Sequence, residues 1–318
     1  MFVYAGEALA RYGFGEGHPL GPDRFYAFWQ ALQQSELFKQ CTIKAPVQGH
    51  TEDALLFHTP EYVKRVQQLS AQGIGMLDPD TPVFPGLFEI ALVVVGTVLD
   101  AVNEIMLGHT DQAFVPIAGL HHASRTSSAG FCVFNDCGIA VEALRQRHGV
   151  QRVLYFDIDA HHADGVFYAF EQDPELLFID LHEDGRYLYP GTGSKTETGS
   201  GPARGTKLNI PMPPGATDEI FFHIWPQITE FMERHQPEFI ILQCGADSLA
   251  GDPITHLQYS GDVHYRTANY LRHYAQKNGN GRVLALGGGG YNHANIAQAW
   301  LQVVRGLLDA SAGNSPTQ

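Results

Sequence analysis

Short apolar runs alternate with longer amphipathic stretches along this chain. Runs at 113–117, 153–158, 176–181, 207–210, 239–243 and 283–286 are rich in β-branched or aromatic residues and bounded by Gly, Pro or Asp, which predicts strands. Stretches at 24–39, 61–72, 87–106, 137–147, 218–235, 261–276 and 292–308 carry helical periodicity. Continuously apolar strands interleaved with helices predict an α/β fold: a mostly parallel central sheet with helices on both faces. No repeat or linker interrupts the pattern, so one domain is expected over 1–310, with 311–318, "SAGNSPTQ", as a disordered tail. The Gly-rich stretch 191–205 reads as a surface loop.

Composition narrows the function. The 318 residues are 44% hydrophobic and 17% charged, which suits a well-packed core. A net charge of −14 without any Lys/Arg cluster disfavours a nucleic-acid partner, since phosphate contacts need basic patches. The first residues lack the basic-then-apolar order of a signal peptide. The longest apolar stretch, from Ile90, is interrupted by Asp100 and too short to span a bilayer. Cys41, Cys132, Cys137 and Cys244 have no paired spacing. They fit reduced thiols in a cytoplasmic protein with no membrane partner.

In open parallel sheets the ligand lies outside the carboxyl ends of the strands, so the residues after each predicted strand carry most information. Strand 113–117 leads into "AGLHHASRTSSAGF", with tandem His121 and His122. Strand 153–158 runs into "DIDAHHADG", strand 239–243 into "CGADSLAGDP" with Asp247 and Asp252, and strand 283–286 into "GGGGYNHAN" with Tyr291. Ending an apolar strand in three carboxylates and two imidazoles is costly unless something compensates the charge. If strand geometry continues past Phe156, then Asp157, Asp159 and His161 alternate onto one face. Asp159 and His161 could then hold a cation, with Asp247 as a third ligand, leaving zinc an open, catalytic-type position. Asp157 and Asp164 remain to orient imidazoles.

Plainer readings exist for each part. A lone His near a strand end is usually a satisfied polar residue, and Asp247 alone could cap a helix. The "GGGG" at 287–290 lacks the GK[ST] of a phosphate loop, and more simply lets Tyr291 approach a ligand. His18 reads as a turn residue. The convergence of four strand ends favours a catalytic site over these separate explanations.

Eight segments then stand out in collinear order: "GFGEGHPLGPDRF" (13–25), "HTPEYVKRV" (58–66), "DPDTPVFPGLFE" (78–89), "GLHHASRTSSAGFCVFND" (119–136), "DIDAHHADGV" (157–166), "HEDGRYLYPGTG" (182–193), "QCGADSLAGDP" (243–253) and "LGGGGYNHAN" (286–295). Together they resemble the zinc-dependent histone deacetylase superfamily, of the arginase–deacetylase fold, over almost the whole chain. Their wording is most similar to the bacterial class I-like branch, which includes the acetoin-utilisation deacetylases. The resemblance implies Zn²⁺, or Fe²⁺ in its place, on Asp159, His161 and Asp247. It also implies a structural K⁺ near the backbone of Asp157, Asp159 and His161. His122, paired with Asp164, would be general base and then acid, while His121, paired with Asp157, would act electrostatically. Tyr291 would donate a hydrogen bond to the scissile carbonyl. Phe131 and Tyr189 would flank a narrow channel lined by Gly130, Arg24 would sit near an internal acetate cavity, and Asp80 at the outer rim. Three positions depart from the family wording: Ala163 for the usual Gly, Asp180 for a small residue such as Ser near the inner potassium, and Tyr189 for the commoner Phe.

Metal-assisted removal of acetyl or other acyl groups from lysine in proteins or peptides is the expected reaction. A hydrolase of acetylpolyamines or other small acetylated amines would share every catalytic residue. A binuclear manganese ureohydrolase would need a further carboxylate where Ala163 stands. A non-catalytic acyl-lysine reader would have no use for Tyr291 and both imidazoles.

Overall fold

The computed structural model describes residues 1–278 and 281–310, so the tail expected at 311–318 lies outside the described residues. The strands are β1 (Phe2–Tyr4), β2 (Thr42–Lys44), β3 (Met76–Asp78), β4 (Thr81–Pro82), β5 (Gln112–Val115), β6 (Val153–Asp157), β7 (Leu176–Glu183), β8 (Lys207–Met212), β9 (Phe239–Gln243) and β10 (Val283–Leu286). β3 and β4 form a small antiparallel ribbon. The other eight make one sheet in the order β2-β1-β5-β10-β9-β6-β7-β8, with every pair parallel. β5, β6, β9 and β10 are buried along their whole length, as strands covered on both faces must be.

This order positions the site. β5, β10, β9 and β6 are far apart in sequence yet adjacent at the centre of the sheet. Their register pairs Leu286 with Val115 on one side and with Gln243 on the other, and Gln243 with Asp157. The four carboxyl ends are therefore level, and the segments that leave them meet. The helix His293–Leu308 braces two of these exits through Trp300. That indole packs edge-on against Phe28 and Phe114, with centroids 5.8 and 6.0 Å away. Its Nε1 donates to the carbonyls of Cys244 and Gly287, at 3.2 and 3.0 Å.

Several expected boundaries shift for identifiable reasons. Strand 153–158 ends at Asp157. Helix 24–39 is Asp23–Gln34 followed by a 3₁₀ turn, Glu36–Gln40, because Ser35 is extended. Helix 218–235 is two helices, Asp218–His223 and Trp225–His235, divided where Pro226 has no N–H to continue the ladder. β1 to β4 and the short helices Glu7–Ala10, Thr51–Ala54 and Asp164–Ala169 escape the pattern, since so few residues complete no period.

Trp300→Phe retains most of the ring packing but removes the donor from two buried carbonyls. Equilibrium denaturation should show a loss of about 1–3 kcal/mol. An unchanged unfolding midpoint would show that Trp300 does not brace the exits of β9 and β10.

Candidate active site

β6 stops because the N–H groups that follow are taken by carboxylates instead of a neighbouring strand. Ile158 N still donates to Gln243 O, at 3.1 Å. Beyond it, Asp159 N donates to Asp157 Oδ1 (2.8 Å), Ala160 N to Asp247 Oδ1 (2.9 Å), His161 N to Asp159 Oδ1 (3.0 Å) and Ala163 N to Asp180 Oδ2 (2.8 Å). The strand continues through Asp157 and then gives way to a bend bound by side chains. Asp157 meets His121, and Asp159 lies between them and the rest of the group, 4.0 Å from His121 Nε2 and 3.0 Å from His161 Nδ1.

His161 Nδ1 lies 3.0 Å from Asp159 Oδ1 and 3.1 Å from Asp247 Oδ2. One ligand atom from each of these three buried residues lies within 4.8 Å of the others. Burial would lower the pKa of His161, but hydrogen bonds and charge from Asp159 and Asp247 raise it to about 10. Burial and the charge of Asp159 push Asp247 up to about 7. The pocket therefore favours positive charge. Two glycines make the room: a Cβ on Gly245 would come within 2.1 Å of Asp159 Oδ2, and one on Gly289 within 2.1 Å of Asp247 Oδ2. Two carboxylates and an imidazole, in a cradle that a methyl group would fill, suit a divalent cation of the zinc type.

Two imidazole–carboxylate pairs stand beside this group. His121 Nδ1 is 2.8 Å from Asp157 Oδ2, and His122 Nδ1 is 2.7 Å from Asp164 Oδ1. The two Nε2 atoms face each other at 3.2 Å, a separation that accommodates one shared proton. Burial, and then the charge of His121, lower the pKa of His122 against the pull of Asp164. Asp164 is held below its usual range because the imidazoles of His122 and His121 outweigh its burial. Tyr291 shares with His121, His122, Asp159 and His161 the lining of a cavity of about 20 Å³. Burial and the charges of Asp247 and Asp159 raise its phenol well above the ordinary value, so it remains an O–H donor.

The flanking residues approach from separate loops. Phe131 lies edge-on to Tyr291 at 6.0 Å, and Tyr189 edge-on to His122 at 5.2 Å. Phe131 has φ of 66°, an uncommon conformation for a residue with a Cβ. It is held there by Tyr12, whose hydroxyl donates to Phe131 O at 2.8 Å. Gly130 is required beside it, since a Cβ there would strike the His122 ring at 2.4 Å. Arg24 is buried below the Gly-rich turn and donates from Nε to Gly290 O (2.8 Å) and from Nη2 to Gly288 O (2.6 Å). Asp180 is fully buried, with Oδ1 2.7 Å from His182 Nδ1. Asp80 sits apart from Asp159, His161 and Asp247, half-buried on the turn of the β3–β4 ribbon.

Sequence reasoning overlooked the supports. Gln243 Nε2 donates to Asp159 Oδ2 at 2.9 Å, and the Tyr155 hydroxyl to Asp157 Oδ2 at 2.6 Å. Asn135 Nδ2 holds the carbonyls of His121 and Ala123, and Asp136 accepts the N–H groups of Gly119 and Leu120. One signal was present: Gln243 is the lone polar residue ending the apolar run "FIILQ".

Comparison with known proteins agrees with this geometry. The family profile for the histone deacetylase domain matches residues 18–307. The chain is 33% identical over 313 residues to the acetoin utilization protein AcuC of Bacillus subtilis, covering 95% of this chain and 80% of that protein. It is 31% identical over 323 residues to human histone deacetylase 1, covering 98% of this chain and 65% of that protein. It thus spans just under two thirds of the human relative's length. Among the described residues, no helix is long and apolar enough to cross a membrane.

Proposed function

The chain belongs to the histone deacetylase family, and from that we propose that it removes acetyl or other acyl groups from lysine side chains in proteins or peptides. One observation carries the reading: two imidazole–carboxylate pairs and a phenol surround a buried group of two carboxylates and an imidazole. Asp159, His161 and Asp247 would hold one Zn²⁺, or Fe²⁺ in its place, with a coordination position left open. When bound, such a cation polarises the acyl carbonyl and lowers the pKa of a coordinated water. A structural K⁺ would lie near the backbone of Asp157, Asp159 and His161, where the adjacent and fully buried carboxyl groups of Asp157 and Asp180 favour a cation.

The chain's own residues perform the proton transfers. With Nδ1–H donated to Asp164, His122 presents Nε2 as an acceptor, and its lowered pKa keeps it neutral and ready to take a proton from water. Asp157 holds His121 in the matching orientation, so charge on one ring is felt directly by the other. The Tyr291 hydroxyl donates to the acyl oxygen as it becomes an oxyanion. His122 then returns the proton to the departing amine. Phe131 and Tyr189 confine the acyl-lysine stem, and Gly130 lets the stem pass His122. Arg24 supplies positive charge for the acetate as it leaves.

Tyr291→Phe should lower kcat by ~10²–10³ with bound metal unchanged, because an oxyanion donor is lost while the ligand set is intact. Near-normal turnover in that variant would remove Tyr291 from the mechanism.

Substrate class is tested through Asp80. A charged acceptor at the rim can take hydrogen bonds from backbone N–H groups beside an acylated lysine, which an acetylpolyamine lacks. Losing such a bond costs ~1.5–3 kcal/mol, so Asp80→Ala should cut kcat/KM on an acetyl-lysine peptide by ~10–150-fold. Strong preference of the wild-type enzyme for acetylpolyamines, with peptide turnover indifferent to Asp80, would replace the lysine reading with the polyamine one.

A further inference from the structure

The rim carboxylate is embedded in a network that the catalytic mechanism does not use. Asp80 lies at the turn of the β3–β4 ribbon, two residues after Asp78. Asp78 Oδ1 accepts the N–H of Asp80 at 2.9 Å, and Asp78 Oδ2 accepts the Thr81 hydroxyl at 2.8 Å. The same Oδ2 accepts the hydroxyl of Ser128, on the loop that continues into Gly130 and Phe131. A second tie comes from the N-terminal loop. His18 accepts the N–H of Leu20 at Nδ1 (3.0 Å) and so donates from Nε2 to Asp80 O (3.0 Å), while its ring packs on Phe131 at 4.6 Å. Two segments some fifty residues apart in sequence are thereby joined through one carboxylate.

We propose that Asp78 is a specificity-determining positioning residue, which fixes the Asp80 carboxylate against the Ser128–Phe131 loop so that the backbone of an acylated peptide is captured at the channel mouth. The inference rests on the proposed peptide substrate. A small neutral amide, engaged only inside the channel, is processed independently of this network.

The paired carboxylates also make capture depend on pH. Burial and the neighbouring Asp78 carboxyl raise Asp80 to about 6. Burial acts in the same direction on Asp78, but hydrogen bonds from Asp80, Ser128 and Thr81 outweigh it and hold Asp78 below its usual range. Above about pH 6, Asp80 is a charged acceptor; as pH falls through that value it takes up a proton and accepts peptide N–H groups less well. The other titratable or charged groups facing the pair are His18, Tyr62 and Arg65 from the helix Pro60–Gln72, and Tyr189. Arg65 is tied to Leu77 O at 3.4 Å.

The decisive quantity is kcat/KM for an acetyl-lysine peptide divided by that for a neutral N-acetyl amide, followed against pH. The division cancels the titration of groups that both substrates require. In wild type the ratio should fall as pH drops through about 6. Asp78→Asn retains the shape and leaves His18 in place, but removes the like charge. Its fall should move down toward the ordinary Asp value of about 3.9. Asp78→Ala cuts the tie itself and should lower the ratio about tenfold at high pH, the equivalent of one charge-assisted hydrogen bond. If Asp80→Ala lowers the ratio while both Asp78 variants keep the wild-type ratio and pH dependence, the role of Asp78 is overturned and the peptide reading stands. If Asp80→Ala leaves the ratio unchanged, both fall together.

Discussion

The constraint on which the molecule depends is the burial of a group of carboxylates, among them Asp136, Asp157, Asp159, Asp180 and Asp247, at the carboxyl edge of one sheet. An uncompensated charge in such a place costs several kcal/mol. Backbone N–H groups provide much of the compensation: Gly119 and Leu120 to Asp136, Asp159 to Asp157, His161 and Gly289 to Asp159, Ala163 to Asp180, and Ala160 to Asp247. Each such bond removes an N–H from regular secondary structure. The end of β6 and the bend after it are therefore consequences of the same electrostatics that build the site.

Strand order gathers these local requirements into one site. With β5, β10, β9 and β6 adjacent and level, each exit supplies a different chemical part. β5 delivers the two imidazoles, β6 two prospective ligands and both orienting carboxylates, β9 the third ligand, and β10 the phenol. In the proposed mechanism this arrangement would let His122 handle protons with its Nδ1 committed to Asp164, and Tyr291 donate with its phenol held protonated. The same close packing makes Gly130, Gly245 and Gly289 obligatory, since a Cβ at each would collide with a ring or a carboxylate.

Much of this was legible in the chain, because continuously apolar runs mark buried parallel strands and ligands gather at strand ends. β9, β10 and the helix Leu87–Met106 fall where the pattern predicts. The illegible features share one cause. Gln243 and Asn135 act through bonds to residues that are distant in sequence and that only the fold brings close, and such pairings leave no periodic trace. Asp78 shows this most plainly: "DPDTP" reads as an ordinary turn, and its partner Ser128 lies on a loop with no pattern of its own. Strand geometry persists past Phe156 only as far as Asp157, because beyond Ile158 side-chain carboxylates compete successfully for the backbone donors.

On the proposed mechanism, Asp159, His161 and Asp247 form a mononuclear catalytic metal centre. Anomalous diffraction from crystals of the purified protein, collected across the zinc, iron and manganese edges, tests it most directly. About one zinc or iron atom per chain is expected, held by the Asp159 and Asp247 carboxylates and the His161 imidazole. Two manganese atoms bridged at this position, in protein that releases urea, would contradict it.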